Sequence, residues 1–289
     1  MLEFSLEYFP PSDDTELASL LKQAKTMSSF QPLYMSVTHS AKDAPLNKTF
    51  RAVEFLLNGN VPTRITPHLT CAPYSISEIM FSAREYESLG IDSVVALRGH
   101  LNGNQNHRDP FFDNSPDFIQ VLSDEFRFNI SCSGYPEGHP EKIDDYLDFE
   151  YLKKKCDAGA DEILTQWFFS NDYFYQYRDR CNQKGISIPI IPGILPISDI
   201  DKVKHFADVC GSQIPAKILE RFEAIKGSQS DQESLGIEIA ISQIEELHSN
   251  GIENFHLYTL NRSEMTKQII ENFKSDLINE AQKQDKKAS

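Results

Sequence analysis

Cysteine is scarce and unpatterned in this chain. Cys71, Cys132, Cys156, Cys181 and Cys210 are odd in number, widely spaced and form no Cys-x-x-Cys pair. That argues against a disulfide framework and against a structural zinc site built on paired cysteines. Cys132 falls inside an apolar run and Cys156 on a helical face, so both are expected as small buried hydrophobes. Positive charge is also short: 28 Lys and Arg against 43 Asp and Glu leave a formal charge of -15. Such a balance disfavours nucleic acid or an anionic membrane as a general partner. Long apolar runs are missing too, because none approaches the roughly 20 residues that span a bilayer. The start, Met1-Leu2-Glu3-Phe4, enters a strand-like run with no basic, cleavable leader. A cytoplasmic protein with no membrane and no nucleic acid partner is expected.

What the chain does have is eight apolar, β-branched runs, nearly all ending in a side chain suited to chemistry. They cover Leu2 to Phe9, Tyr34 to Thr38, Arg64 to Thr70, Ser93 to Arg98, Phe128 to Gly134, Glu162 to Phe169, Ile188 to Leu195 and Phe255 to Leu260. Between them lie stretches of helical periodicity, among them Glu16 to Met27, Ser77 to Leu89, Ile143 to Ala158 and Asp199 to Val209. Eight strand-then-helix units predict an α/β fold of the closed (β/α)8 TIM-barrel type, which takes roughly 250 residues. Residues 1–281 are therefore expected as one catalytic domain, with a polar, Lys-rich, disordered tail at 282–289. Pro10-Pro11-Ser12, Asn58-Gly59-Asn60 and Asp157-Ala158-Gly159-Ala160 punctuate the units as turns and helix ends. The longest irregular stretch, Gly99 to Pro116, follows a strand end and could cover a ligand.

In such a barrel the active site gathers at the carboxyl ends of the strands. Glu7, Thr38, His68, Arg98, Tyr135, Gln166 and the Asn261-Arg262 pair fall there on this reading. Glu7 closes an otherwise apolar strand, and a desolvated carboxyl group is suited to protonate a substrate near neutral pH. Its alternative use is a buried ion pair with an arginine of a neighbouring strand. His39, His68, His100 and His139 all lie near strand ends, which opens a rival reading as a metal-dependent barrel hydrolase. Strand one offers no His-x-His pair and the last strand ends in no lone aspartate, so no metal is expected. Gly99 after Arg98 lets a ligand approach the backbone. Lys153-Lys154-Lys155 is ordinarily a solvated helix face, but near a barrel rim it could hold a diphosphate.

Several longer motifs then converge. They are Ser5-Leu6-Glu7-Tyr8-Phe9-Pro10-Pro11, Pro67-His68-Leu69-Thr70-Cys71, Leu97-Arg98-Gly99, Tyr135-Pro136-Glu137 with His139-Pro140-Glu141, Thr165-Gln166, Ile191 to Pro196, and Phe255 to Arg262. Together, in order from residue 2 to about 272, they resemble the bacterial single-domain methylenetetrahydrofolate reductase family. The resemblance implies a barrel that holds FAD, takes hydride from NADH or NADPH, and passes it to 5,10-methylenetetrahydrofolate to give 5-methyltetrahydrofolate by ping-pong turnover. It assigns Glu7 as the general acid that opens the folate imidazolidine ring to an iminium. It gives the flavin to Thr38, His39, Ala41, His68, Arg98, Gly99, His100, Tyr135, His139, Asp148, Tyr151, Lys154 and Lys155, and the folate to Gln166 and Arg262, with Phe206 stacking against folate or nicotinamide in alternation. Separately from the resemblance, a homo-oligomer is expected, through exposed apolar surface on the outer helices.

Four positions depart from the family pattern. His100 stands where Leu-Arg-Gly is followed by an aspartate near the flavin pyrimidine, a second catalytic group that stabilises the cationic iminium. Thr38-His39-Ser40-Ala41-Lys42 replaces an aromatic-Gly-Ala pattern, Tyr151 replaces a polar flavin contact, and Lys202 replaces a folate-binding glutamine. A divergent flavoprotein with altered folate activity or direction is the alternative that His100 leaves open.

Overall fold

A computed structural model describes residues 2–39, 48–72, 74–99, 115–141 and 144–274. Eight parallel strands close into a barrel in sequence order, as the alternation predicts. They are β1 (Glu3–Tyr8), β2 (Met35–Val37), β3 (Ile65–Thr70), β4 (Ser93–Leu97), β5 (Asn129–Gly134), β6 (Glu162–Trp167), β7 (Ile190–Ile194) and β8 (Asn254–Tyr258). The outer helices are α1 (Asp14–Ser28), α2 (Lys48–Asn58), α3 (Ile76–Ser88), α4 (Ser115–Glu125), α5 (Asp145–Asp157), α6 (Asn171–Gln183), α7 (Ile200–Cys210), α8 (Ala216–Ala224) and α9 (Gln229–Ser249). Among the described residues no helix is long and apolar enough to cross a membrane. The expected tail at 282–289 lies outside the described residues.

Strand alternation sorts the side chains. In β1, Phe4, Leu6 and Tyr8 join the large core that α1 covers with Leu17, Leu20, Ala24 and Met27. Ser5 and Glu7, on the opposite face, meet residues of other strands inside the barrel. Much of that interior is polar but paired: Thr66 Oγ1 meets Ser93 Oγ at 2.8 Å, and Ser131 and Tyr34 both donate to Glu162 Oε1 at 2.6 and 2.9 Å. Val95 on β4, Leu164 on β6 and Ile191 on β7 form a separate apolar patch.

Two differences from the sequence pattern have physical causes. The β6 strand stops at Trp167 instead of Phe169, and its pairing with β7 slips between Leu164 and Trp167. A bulge of this kind re-aims side chains next to a site, and Gln166 lies within it. The second difference is α9, which hydropathy marks only weakly. The buried face of α9 includes Gly236, Ala240 and Gln243 beside Leu235, Ile244 and Leu247, so half of it carries little apolar signal. Gly236 is required there, because a Cβ would stand 1.9 Å from the Ile197 carbonyl oxygen. Gln243 is also fixed, its Nε2 donating to the Phe168 carbonyl at 2.8 Å.

Cys132 is buried as expected, but Cys156 is only partly buried. The inward face of α5 is Phe149, Leu152 and Lys155, and the next residue is turned about 100° away from it. Local capping is strong at α3, where Ser75 Oγ accepts from the Glu78 amide while the Glu78 carboxylate accepts from the Ser75 amide at 2.8 Å. Ser75→Ala should lower stability by about 0.5–2 kcal/mol, read as a shift in the urea midpoint at constant slope. An unchanged midpoint would show that water replaces the cap without loss.

Candidate active site at the carboxyl end of the barrel

Glu7 projects from the end of β1 into the barrel mouth, with its side chain 12% exposed. Its Oε2 lies 3.5 Å from His68 Nε2 on β3 and 3.7 Å from His256 Nε2 on β8. Both ring nitrogens are buried and lack a hydrogen-bond partner. Burial pushes His68 down to about 4, reinforced by His256 and His39 and opposed by Glu7. His68 is therefore a neutral imidazole at pH 7, and its contact with Glu7 is not an ion pair. The alternative of an arginine partner for Glu7 is not met: among the described residues the basic groups within 4 Å of its carboxylate are these two histidines. His256 is oriented from behind, with Nδ1 2.7 Å from Ser5 Oγ.

The backbone under Glu7 is fastened to the last strand. Thr259 Oγ1 donates to the Glu7 carbonyl at 2.5 Å. Asn261 brackets Phe9, accepting from its amide at 2.8 Å and donating to its carbonyl at 3.0 Å. The turn that places Asn261 holds Leu260 and Asn261 at φ 49° and 56°. For Leu260 that left-handed backbone costs about 1–2 kcal/mol, strain kept beside the site.

A second group of residues lines the mouth on the β3 to β5 side. Gly99 has φ 81°, and a Cβ there would stand 3.1 Å from Thr70 Cβ. Thr70 Oγ1 is itself buried and unpartnered. Arg98 donates to Glu141 Oε2 at 2.5 Å, and the His139 amide donates to Asp148 Oδ2 at 3.2 Å. Tyr135 and His139 stack edge to face at 4.6 Å, and burial raises the tyrosine and lowers the histidine. Tyr151 Oη accepts from the Ser115 amide at 2.8 Å. Thr38 gives its carbonyl to Thr49 Oγ1 at 2.8 Å, and His39 Nε2 lies 2.7 Å from Tyr74 Oη. Ala41 and His100 lie outside the described residues, as does most of the Gly99 to Pro116 stretch.

The lysine run divides. Lys155 is buried, with Nζ donating to Ser133 O at 2.9 Å and Ser133 Oγ at 3.2 Å, and burial lowers its pKa. Lys154 is exposed on the outer face of α5.

The remaining assigned residues stand on the β6 to β8 side. Gln166 Oε1 accepts from the Trp167 amide at 3.1 Å. Phe206 on α7 is 40% exposed, off the buried face of Ile200, Val203 and Ala207. Arg262 Nη1 donates to Glu233 Oε1 at 2.7 Å, tying the turn after β8 to α9. Lys202 pairs with Asp199 at 3.3 Å. Among the described residues no group of three His, Cys, Asp or Glu could hold a metal ion.

Sequence reasoning missed Ser5, His256, Thr259 and Tyr258 as parts of this site. Tyr258 donates to the Thr165 carbonyl at 2.8 Å and crosses Gly193, whose amide donates to Thr165 Oγ1 at 2.9 Å. The signal for His256 was available: a histidine on the inward phase of a strand that pairs with β1, Ser5 lying opposite it in register.

The family model described as methylenetetrahydrofolate reductase matches residues 1–274. A 5,10-methylenetetrahydrofolate reductase of Escherichia coli K12 is 34% identical over 265 residues, covering 92% of this chain and 88% of its own. That of Buchnera aphidicola subsp. Schizaphis graminum is 36% identical over 275 residues, covering 94% and 92%. In fold the chain is similar to a Clostridium thermocellum protein described as binding two copies of 5-methyl-5,6,7,8-tetrahydrofolic acid. The TM-score is 0.61 at 13% identity, covering 93% of this chain and 95% of that one.

Proposed function

The chain belongs to the methylenetetrahydrofolate reductase family, and from that premise we propose how it reduces 5,10-methylenetetrahydrofolate to 5-methyltetrahydrofolate. FAD is held at the carboxyl face of the barrel, NADH or NADPH is the electron donor, and Glu7 is the proton donor to the folate. The reading includes a cytoplasmic homo-oligomer. The observation that carries it is Glu7 itself: a carboxyl group little exposed, fixed through its backbone, and bordered by two imidazoles instead of a permanent cation.

The residues on the β3 to β5 side suit a flavin. The missing Cβ at Gly99 and the orphaned Thr70 Oγ1 leave a close approach with a donor waiting. Arg98 and Lys155 supply positive charge for a diphosphate, with Thr38, His39, Ala41, His68, His100, Tyr135, His139, Asp148 and Tyr151 completing the assignment, while Lys154, exposed on the outer face of α5, is left out of it. Bound FAD supplies the hydride chemistry. The protein's part is to place the folate and move one proton. Gln166 offers its amide group from the β6 bulge, Phe206 covers the ring system, and Arg262, already paired with a carboxylate, holds the acidic end. Glu7 then protonates the folate amine, a transfer that general acids accelerate by about 10² to 10⁴-fold.

A second reading rests on His100, which brings no negative charge to a position where the family has an aspartate. On it the chain binds flavin and accepts hydride, but its folate step is altered. Anaerobic reduction by NADH followed by reoxidation with methylenetetrahydrofolate separates the two. Rapid bleaching and rapid return of colour support the first, and return slower by orders of magnitude supports the second.

The two lysines give a separate check on the flavin assignment. Lys155→Ala should weaken FAD retention by about 1–3 kcal/mol, the worth of a charge-assisted bond, whereas Lys154→Ala should leave it unchanged. Flavin content after dialysis reads this directly, and equal retention in both variants would remove Lys155 from the flavin site.

A further inference from the structure

The segment from residue 135 to 141, which joins β5 to α5, touches both halves of the site. On the flavin-assigned side, its His139 amide reaches Asp148 and its Glu141 carboxylate receives Arg98. Its other side meets the end of α7, the helix that carries Phe206. Glu137 Oε2 accepts from the Gln213 amide at 2.9 Å, across 76 residues of sequence. Pro140 lies against the left-handed Gly211 that terminates α7, where a Cβ would stand 3.3 Å away. Ser212 Oγ closes the same seam by donating to the Trp167 carbonyl at 3.0 Å, next to Gln166.

Glu137 is oddly equipped for a structural link. Its Oε1 is buried with no hydrogen-bond partner, and the gap around it, lined by Tyr135, Gln166, Trp167, Cys210 and Ser212, is too small to admit water. Among the described residues no other charged group lines that gap. The titratable neighbours are Tyr135 from its own segment and Cys210 from α7, while β6 contributes only Gln166 and Trp167.

We propose that Glu137 is a positioning residue, a proton-dependent latch that holds the Phe206 helix and the Gln166 bulge in register with the flavin-side segment. Burial pushes its carboxyl up to about 7, with the Gln213 amide acting against that shift. The sign follows from linkage: the closed latch binds the proton more tightly than an open one, whose carboxylate is hydrated and titrates near its ordinary 4.5. The latch is therefore fully held below about pH 4.5, the ordinary value, and loosens progressively until the loss is complete just above pH 7. The inference rests on the assignment of Phe206 and Gln166 to the folate.

Glu137→Gln tests it, because the amide keeps an acceptor for Gln213 and cannot ionise. In the wild-type holoenzyme, KM for methylenetetrahydrofolate should rise between pH 6 and 8 by up to about tenfold more than in the variant, since pH 6 lies one unit below the closed-state midpoint and the effect levels off above it. Parallel KM profiles would overturn the latch. Hydrogen exchange of amides 205–213 gives a readout independent of turnover: beyond the common base-catalysed rise, wild type should gain exchange from pH 6 to 8 and the variant should not. Identical gains would overturn the latch even in a protein active on folate, and a wild-type gain in a protein inactive on folate would uphold the latch while the functional reading fails.

Discussion

Glu7→Gln is expected to split the reaction in two. Flavin reduction by NADH should stay within a few-fold of wild type, because hydride delivery from a nicotinamide needs no proton from this side chain. Reoxidation by methylenetetrahydrofolate should fall by about 100-fold or more, the scale of a lost general acid. Shape is conserved, and the Thr259 and Asn261 bonds that fix the Glu7 and Phe9 backbone involve no carboxylate. The new amide can even donate toward the unpartnered Nε2 of His68 or His256. Thermal stability should therefore hold, and the loss should fall on the folate step alone. Equal losses in both half-reactions would make Glu7 a structural residue of the barrel mouth.

Gly193→Ala is expected to damage stability and the folate step together. A Cβ at this position would stand 2.3 Å from the Thr165 carbonyl oxygen and 2.6 Å from the Tyr258 ring. Neither neighbour yields cheaply, since Tyr258 is pinned to Thr165 by its hydroxyl and Thr165 is strand backbone. Overpacking of this kind costs about 1–3 kcal/mol, and more where backbone must move. The shift falls on β6 beside Gln166, so folate reoxidation should slow by about 10 to 100-fold, as for a substrate misplaced by an ångström. A calorimetric scan and stopped-flow reoxidation read the two effects. A variant with unchanged melting and rate would show that β6, β7 and β8 have room to adjust at this seam.

The barrel was legible because each inward strand run ends in polar or turn-forming residues, and Glu7 stood out as a carboxylate closing an apolar run. Strand ends were read long by one residue at β1, β2, β4 and β7 and by two at β6 and β8, because the residue pattern carries on past the point where the strand ends. His256 escaped notice because a histidine between Phe255 and Leu257 looks like one more core position. Only the pairing of β1 with β8 brings it to Glu7. Lys155 was separable from Lys154 in principle, since Phe149, Leu152 and Lys155 share a three-residue spacing that marks one helix face. Contacts between distant segments were not readable. Nothing in the sequence pairs Arg262 with Glu233 or Glu137 with Gln213, because both depend on how α9 and the end of α7 pack.

The most direct measurement is an anaerobic titration of the purified holoenzyme. NADH should bleach one FAD per chain, and methylenetetrahydrofolate should then restore the colour while one equivalent of 5-methyltetrahydrofolate forms. A protein that binds no flavin, or a bleached flavin that methylenetetrahydrofolate leaves reduced, would contradict the account.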